Sequence, residues 1–184
     1  MSRLLTCIVG AVIVAAALSP SSPLSTILIS PAAAQATQAT QDLSTPSNRP
    51  VPRFATIGSS RVHLRQGPSQ DHRILWVYEG QQGLPVEVVA ETEIWRQIRD
   101  PDGDLGWVHR SLISESRGVV VTGEMRPLRR RPAGDAPILA YLQPRVVARL
   151  NECDPDWCEI TVDGFTGWLH HEDVWGVYPR EIVE

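Results

Sequence analysis

Two stretches decide how this chain folds: VEVVAETEIWRQIRDPDGDLGWVHRSLI at residues 86–113 and RVVARLNECDPDWCEITVDGFTGWLHHEDV at residues 145–174. They align with one another. Trp95 matches Trp157, Ile98 matches Ile160, and Gly106-Trp107-Val108-His109 matches Gly167-Trp168-Leu169-His170. Upstream, Leu64-Arg65 matches Leu128-Arg129, and Ile74-Leu75 matches Ile138-Leu139. The gaps fall in turn-like sequence, DPDG against VDG. This many matches in one order mark a duplicated unit.

Each copy reads as a series of short strands. RVHLR, ILWVY, VEVVAE, EIWRQIR and LGWVH are β-branched or aromatic runs, punctuated by Gly67-Pro68, Gly80 and Pro101-Asp102-Gly103. Such spacing predicts a small β-barrel or sandwich. No stretch keeps a 3.6-residue period long enough for a long helix. A single 3₁₀ turn is expected after each GW[VL]H motif, at Arg110-Ser111-Leu112 and His171-Glu172-Asp173.

The pattern LRQGPS…WRQIRDPDGDLGWVH…LI resembles a bacterial SH3 domain (SH3b). With the closing WCEITVDGFTGWLHHEDVWGVYP, the pair resembles the two-repeat exported SH3-domain proteins of Gram-negative bacteria, over about residues 54–180. The resemblance implies half-open five-stranded barrels. It also implies a cell-wall or peptide-binding role, which relatives often play beside a hydrolase; no hydrolase region is expected beside these repeats. The aromatic ALYDY-like segment with which eukaryotic SH3 domains grip proline-rich peptides is missing, so that mode is not expected. The predicted fold is therefore all-β: two tandem SH3-like half-open barrels, residues 54–117 and 118–184, preceded by a signal peptide and a flexible linker. A unit of about 60 residues is marginal alone, so the barrels are expected to pack together, with the boundary at Ser114 to Arg117.

The N-terminus reads as an export signal. Arg3 is followed by an uncharged run from Leu4 to Leu18, and Ala34-Gln35-Ala36 supplies an A-x-A site. Cleavage after Ala36 would leave a periplasmic or secreted protein with no stable membrane insertion. A retained anchor is the alternative, although the run is shorter than the roughly 20 apolar residues that span a bilayer. Cys7 precedes the apolar core, whereas a lipidated cysteine would follow it. Residues 37–53, TQATQDLSTPSNRPVPR, have little to bury and read as a flexible tether.

Composition narrows the partners. The chain carries 17 basic residues, all arginine, against 21 acidic ones, a formal net charge of −4. An exported acidic chain does not suit nucleic acid, whose affinity comes mainly from neutralised phosphates. Arg126, Arg129, Arg130 and Arg131 form a basic cluster, read either as a solvated sheet edge or as a clamp for carboxylates.

Cys153 and Cys158 flank Asp154-Pro155-Asp156-Trp157. A hairpin closing through that turn brings the two together, and an oxidising compartment would join them, with Cα atoms expected about 5.5–6 Å apart. A zinc site from Cys153, Cys158, His170 and His171 is a rival reading, but the spacing is not that of a zinc finger. A catalytic cysteine is a second rival, set against by the disulfide. No metal or cofactor is expected.

Six tryptophans must be placed. Trp76, Trp107 and Trp168 are expected mostly in the core. Trp95 and Trp157 follow polar turns at strand starts, and the SH3 resemblance puts them on a ligand groove bordered by His109 and His170. Trp107 and Trp168 belong to the same motifs. Trp95, Trp107, His109, Trp157, Trp168 and His170 are therefore the candidate ligand-binding residues. The partner would be a cell-wall peptide or glycan, or an envelope protein. No G-x-S-x-G or H-E-x-x-H motif is present, and no enzyme activity is expected.

Overall fold

The structure, a computed structural model, describes residues 45–184. The predicted signal peptide, Cys7 and the first part of the tether lie outside the described residues. The first repeat contains β1 (Arg53–Ile57), β2 (Arg61–Arg65), β3 (Ile74–Glu79), β4 (Pro85–Glu91), β5 (Trp95–Arg99), β6 (Leu105–His109) and β7 (Ile113–Ser114). The second contains β8 (Gly118–Val121), β9 (Arg126–Arg129), β10 (Ile138–Leu142), β11 (Val147–Cys153), β12 (Trp157–Val162), β13 (Phe165–His170) and β14 (Val174–Trp175). The expected 3₁₀ turns are present at Arg110–Leu112 and His171–Asp173.

Each repeat is one seven-stranded antiparallel sheet. The orders are β3-β2-β6-β5-β4-β1-β7 and β10-β9-β13-β12-β11-β8-β14, so every strand of the second sheet occupies the place of its counterpart in the first. The duplication seen in sequence is thus a duplication of topology. Period-two patterning sets the faces. In β2, Val62 and Leu64 are buried while Arg61 is exposed and His63 and Arg65 are half-buried. The first core gathers Ile57, Val62, Leu64, Val86, Val88, Ile98 and Val108; the second gathers Val119, Val121, Leu128, Leu150, Ile160 and Leu169.

The glycine of each GW motif has a steric reason. A Cβ at Gly106 would lie 2.5 Å from Leu64 Cγ and 2.9 Å from the Arg65 carbonyl oxygen. One at Gly167 would lie 2.7 Å from the Arg129 carbonyl oxygen. The sheet folds back on itself at these points, where β6 meets β2 and β13 meets β9.

The last part of the expected tether differs from the structure. Ser47 donates its backbone N–H and hydroxyl to Glu91 Oε1 at 2.9 and 2.6 Å. Arg53, at the start of β1, places Nη2 3.1 Å from Glu91 Oε2. The segment has few apolar groups, but its polar groups find buried partners, which composition alone did not reveal. Arg96 completes the cluster, with Nε 3.1 Å from the same Glu91 oxygen; the Glu91 side chain is 1% exposed.

Glu91 and Arg96 are paired across β4 and β5 just as Cys153 and Cys158 are paired across β11 and β12. Both pairs lie beside the turn of a hairpin. The next pair inward to the turn is hydrogen-bonded in both, through Thr92 N–H to Trp95 O and Asp154 N–H to Trp157 O, each at 2.9 Å. An ion pair in one repeat therefore holds the register that a disulfide holds in the other.

The repeats pack against each other, as a marginal unit requires. Phe54 of β1 meets Trp175 edge-on at 5.0 Å and Tyr178 at 4.8 Å between ring centroids. Tyr178 also donates its hydroxyl to Glu87 Oε1 of β4 at 3.1 Å. The connector is short and tied down. Glu115 pairs with Arg49 and Arg53, and Arg117 reaches both carboxylate oxygens of Glu181 at 2.9 and 3.0 Å. Gly118 approaches so closely that a Cβ there would sit 2.6 Å from the Gly83 carbonyl oxygen.

Burial alone would raise the Glu91 carboxyl, but the Ser47 hydrogen bonds and the Arg53 and Arg96 charges outweigh it and hold the group below the ordinary glutamate range. A carboxyl lowered in the folded state contributes its full stability above its unfolded value, about 4.3, and loses it as pH falls through the lower native value. Glu91→Gln should therefore destabilise the protein by about 3 kcal/mol near neutrality, and the gap to wild type should shrink on acidification. Urea melts at a series of pH values measure it. The paired change Glu91→Cys with Arg96→Cys should form a second disulfide under oxidising refolding, detected as the loss of two titratable thiols.

Candidate ligand grooves of the two repeats

Register brings each tryptophan opposite a histidine. Trp95 pairs with His109 across β5 and β6, and Trp157 pairs with His170 across β12 and β13. Residues directly opposite on antiparallel strands share a face, so each pair presents one combined aromatic surface. The two surfaces differ. Trp157 and His170 stack at 3.8 Å with planes 28° apart, whereas Trp95 and His109 meet edge-on at 5.6 Å and 85°.

In repeat 2 the stack lies in an open groove of about 650 Å³ whose other walls include Pro155, Asp156, Val177, Pro179 and Arg180. In repeat 1 the Trp95–His109 pair borders a groove of about 230 Å³ on its other side, walled by Arg61, His63, Arg65 and Gln70 of β2 and the loop after it. Trp95 is only 6% exposed, so it lacks the free face expected of it. Trp157 is half-buried and keeps part of its face. The His109 Nδ1 faces the Ser111 hydroxyl at 2.7 Å and accepts the Ser111 N–H at 3.3 Å, which caps the following 3₁₀ turn.

The other tryptophans need correction. Trp76 is 58% exposed, not core. It shares the inward face of β3 with Tyr78 but lies beyond the reach of the core. Trp107 and Trp168 are half-buried. They alternate with the buried Val108 and Leu169 and so point away from the core. Neither lines the two grooves, so the six candidates form two pairs, Trp95–His109 and Trp157–His170, with Trp107 and Trp168 outside them. The groove walls on β2 and in the C-terminal tail were missed in the sequence. The repeated His and Arg positions on β2 carry no motif, and the tail has no counterpart in the first copy.

The arginine cluster disperses. Arg126 has Nε 3.1 Å from Asp173 Oδ1, and Arg129 donates to the Ala136 carbonyl at 2.9 Å. Strand β9 ends at Arg129, leaving Arg130 and Arg131 exposed in a loop. The four side chains do not build one clamp.

Cys153 and Cys158 form the expected disulfide. Their Cα atoms are 4.1 Å apart, closer than anticipated, because the pair occupies a non-hydrogen-bonded site where opposed strands approach most closely. His171, not His170, lies beside them: its ring and the two sulfurs are within 4.8 Å of one another, and its Nε2 is buried without a hydrogen-bond partner. Both sulfurs are committed to each other, so neither supplies a thiolate to a metal or a substrate.

The bacterial SH3 domain model matches residues 58–115 and 122–176, more than half of the chain, and the chain belongs to that family. No curated protein matches it. Among solved structures it is similar to NlpC2 from Trichomonas vaginalis, at 11% identity and a TM-score of 0.31, covering 67% of this chain and 48% of that one. It is also similar to NlpC1 from Trichomonas vaginalis, at 12% identity and a TM-score of 0.31, covering 70% of this chain and 47% of that one. The chain thus spans about half the length of these two proteins.

Opening the Cys153–Cys158 bridge removes a short loop constraint worth roughly 2 kcal/mol in the chain-entropy model. Cys153→Ser with Cys158→Ser should lower stability by about that amount and leave the fold intact. Chemical denaturation followed by tryptophan fluorescence measures it.

Proposed function

We propose that this chain is an exported, non-catalytic binding module of the cell envelope that takes a cell-wall peptide or glycan in the groove of repeat 2. The observation that carries the reading is the Trp157–His170 stack in an open groove of about 650 Å³. A flat aromatic face beside polar groups suits a sugar ring or an extended peptide. Asp156, Glu172 and Arg180 supply donors and acceptors around it. The groove beside Trp95 is smaller and its tryptophan is buried, so repeat 2 is the binding copy. Family membership supports a binding role, and the leader sequence supports export to the periplasm. A catalytic role has little support: hydrolysis needs a nucleophile, a base and an orienting group in one cleft, and the cysteines beside His171 are joined.

A second reading has its own observation. Strands β3 and β10 are the outer edges of the two sheets. They carry exposed apolar side chains, Ile74, Leu75 and Trp76 on one and Ile138 and Tyr141 on the other. An edge of this kind accepts a strand from an envelope protein.

Purified protein should co-sediment with isolated peptidoglycan, and Trp157→Ala should reduce the bound fraction about tenfold, equivalent to about 1.4 kcal/mol, while Trp95→Phe changes it little. Absence of co-sedimentation by the folded protein at low salt refutes wall binding. A single dominant crosslinked protein in cells, lost on substitution in β3 or β10, supports the edge-strand reading instead.

A further inference from the structure

The two repeats share topology, yet one surface belongs to the first alone. Trp76 of β3 lies opposite Leu64, and the residue opposite the equivalent Leu128 is Ala140. Tyr78 lies opposite Val62; its counterpart in the second repeat is Leu142. The hairpin β12–β13 closes through Asp163-Gly164, whereas β5–β6 closes through the longer Asp100-Pro101-Asp102-Gly103-Asp104. The second barrel folds without the exposed indole, the buried phenol or the acidic loop, so barrel formation does not require them.

These additions converge on a cleft of about 360 Å³ between the repeats. Trp76, Tyr78 and the acidic loop form one side, and Val120, Arg145 and Val147 of repeat 2 form the other. Arg145 holds both Asp102 oxygens at 2.7 and 2.8 Å. It does so from a backbone φ of 69°, a left-handed conformation that costs a non-glycine residue about 1 kcal/mol or more. Asp100 is buried, and its carboxylate accepts the Tyr78 hydroxyl at 3.0 Å and the Asp102 and Asp104 N–H groups at 3.0 and 2.9 Å. All three are neutral donors. Among the described residues, Asp100 and Asp104 make no ion pair. Three carboxylates thus meet one guanidinium, which is already committed to Asp102, beside a tryptophan that is 58% exposed.

We propose that this inter-repeat cleft is a second binding site, specific for a primary ammonium group on a peptide side chain. Uncompensated carboxylates attract the charge, and the Trp76 face attracts a cation through its ring quadrupole. A compact ammonium with three rotatable donors suits Asp104 and the remaining acceptor capacity of Asp100 better than a planar fork does. The site shares no residue with the Trp157 groove and stands or falls independently of it.

The test is an NMR titration of the protein purified from cells expressing the full-length chain, with Nα-acetyl-lysine methylamide as probe and its Nε-acetylated form as control. The Trp76 indole N–H signal is assigned by its loss in Trp76→Phe. The lysine probe should shift that signal, the acetylated probe should not, and added salt should weaken the effect. Asp104→Asn should weaken binding about fivefold and Trp76→Ala about tenfold, with Trp157→Ala unchanged. No shift with the lysine probe, an equal response to both probes, or full affinity in folded Asp104→Asn overturns the proposal.

Discussion

Each long hairpin in this protein must keep its two strands in register beside the turn that joins them. The β4–β5 and β11–β12 hairpins meet that demand at one register position by different chemistry. In the second repeat a covalent bond joins Cys153 to Cys158. In the first, a buried carboxylate at Glu91 holds two guanidiniums and two Ser47 donors. A buried ion pair needs every lone pair satisfied to offset desolvation, which is why the segment preceding β1 is drawn in. The second repeat has a similar brace: Val183 exchanges two backbone hydrogen bonds with Cys153, at 2.9 and 3.0 Å. Each hairpin end is thus covered by a tail, one from the N-terminal side and one from the C-terminal side.

With the hairpins fixed, the repeats are free to diverge elsewhere. Their cores keep equivalent residues, Leu64 with Leu128, Ile98 with Ile160 and Val108 with Leu169. Their surfaces do not. Repeat 2 has the wider aromatic groove, and repeat 1 has the exposed Trp76 and the acidic loop. Packing between the repeats makes this asymmetry usable, because the aromatic cluster of Phe54, Trp175 and Tyr178 fixes one barrel against the other and so creates a cleft that neither barrel could form alone.

The duplicated fold was legible in the chain because strand periodicity, turn residues and the GW[VL]H motif are local signals repeated twice. The disulfide was legible for the same reason, since a four-residue turn leaves its flanking residues little freedom. Burial of individual tryptophans was not. Trp76 looks like a core residue in ILWVY, but the barrel core ends before it; Trp95 follows a polar turn, yet it is buried against His109. The Glu91–Arg96 pair escaped notice although its spacing equals that of the cysteines, because residues so unlike in chemistry do not align by similarity.

The amino-acid order alone determined that two β-barrel repeats form and that one carries a disulfide, since these rest on neighbours within a hairpin. Tertiary structure decided which tryptophan keeps an open face, that the arginine cluster disperses, and that Trp76 faces Arg145 across a cleft. Those outcomes depend on contacts between strands and repeats far apart in the chain, and no local pattern encodes which of two chemically similar side chains another element will cover.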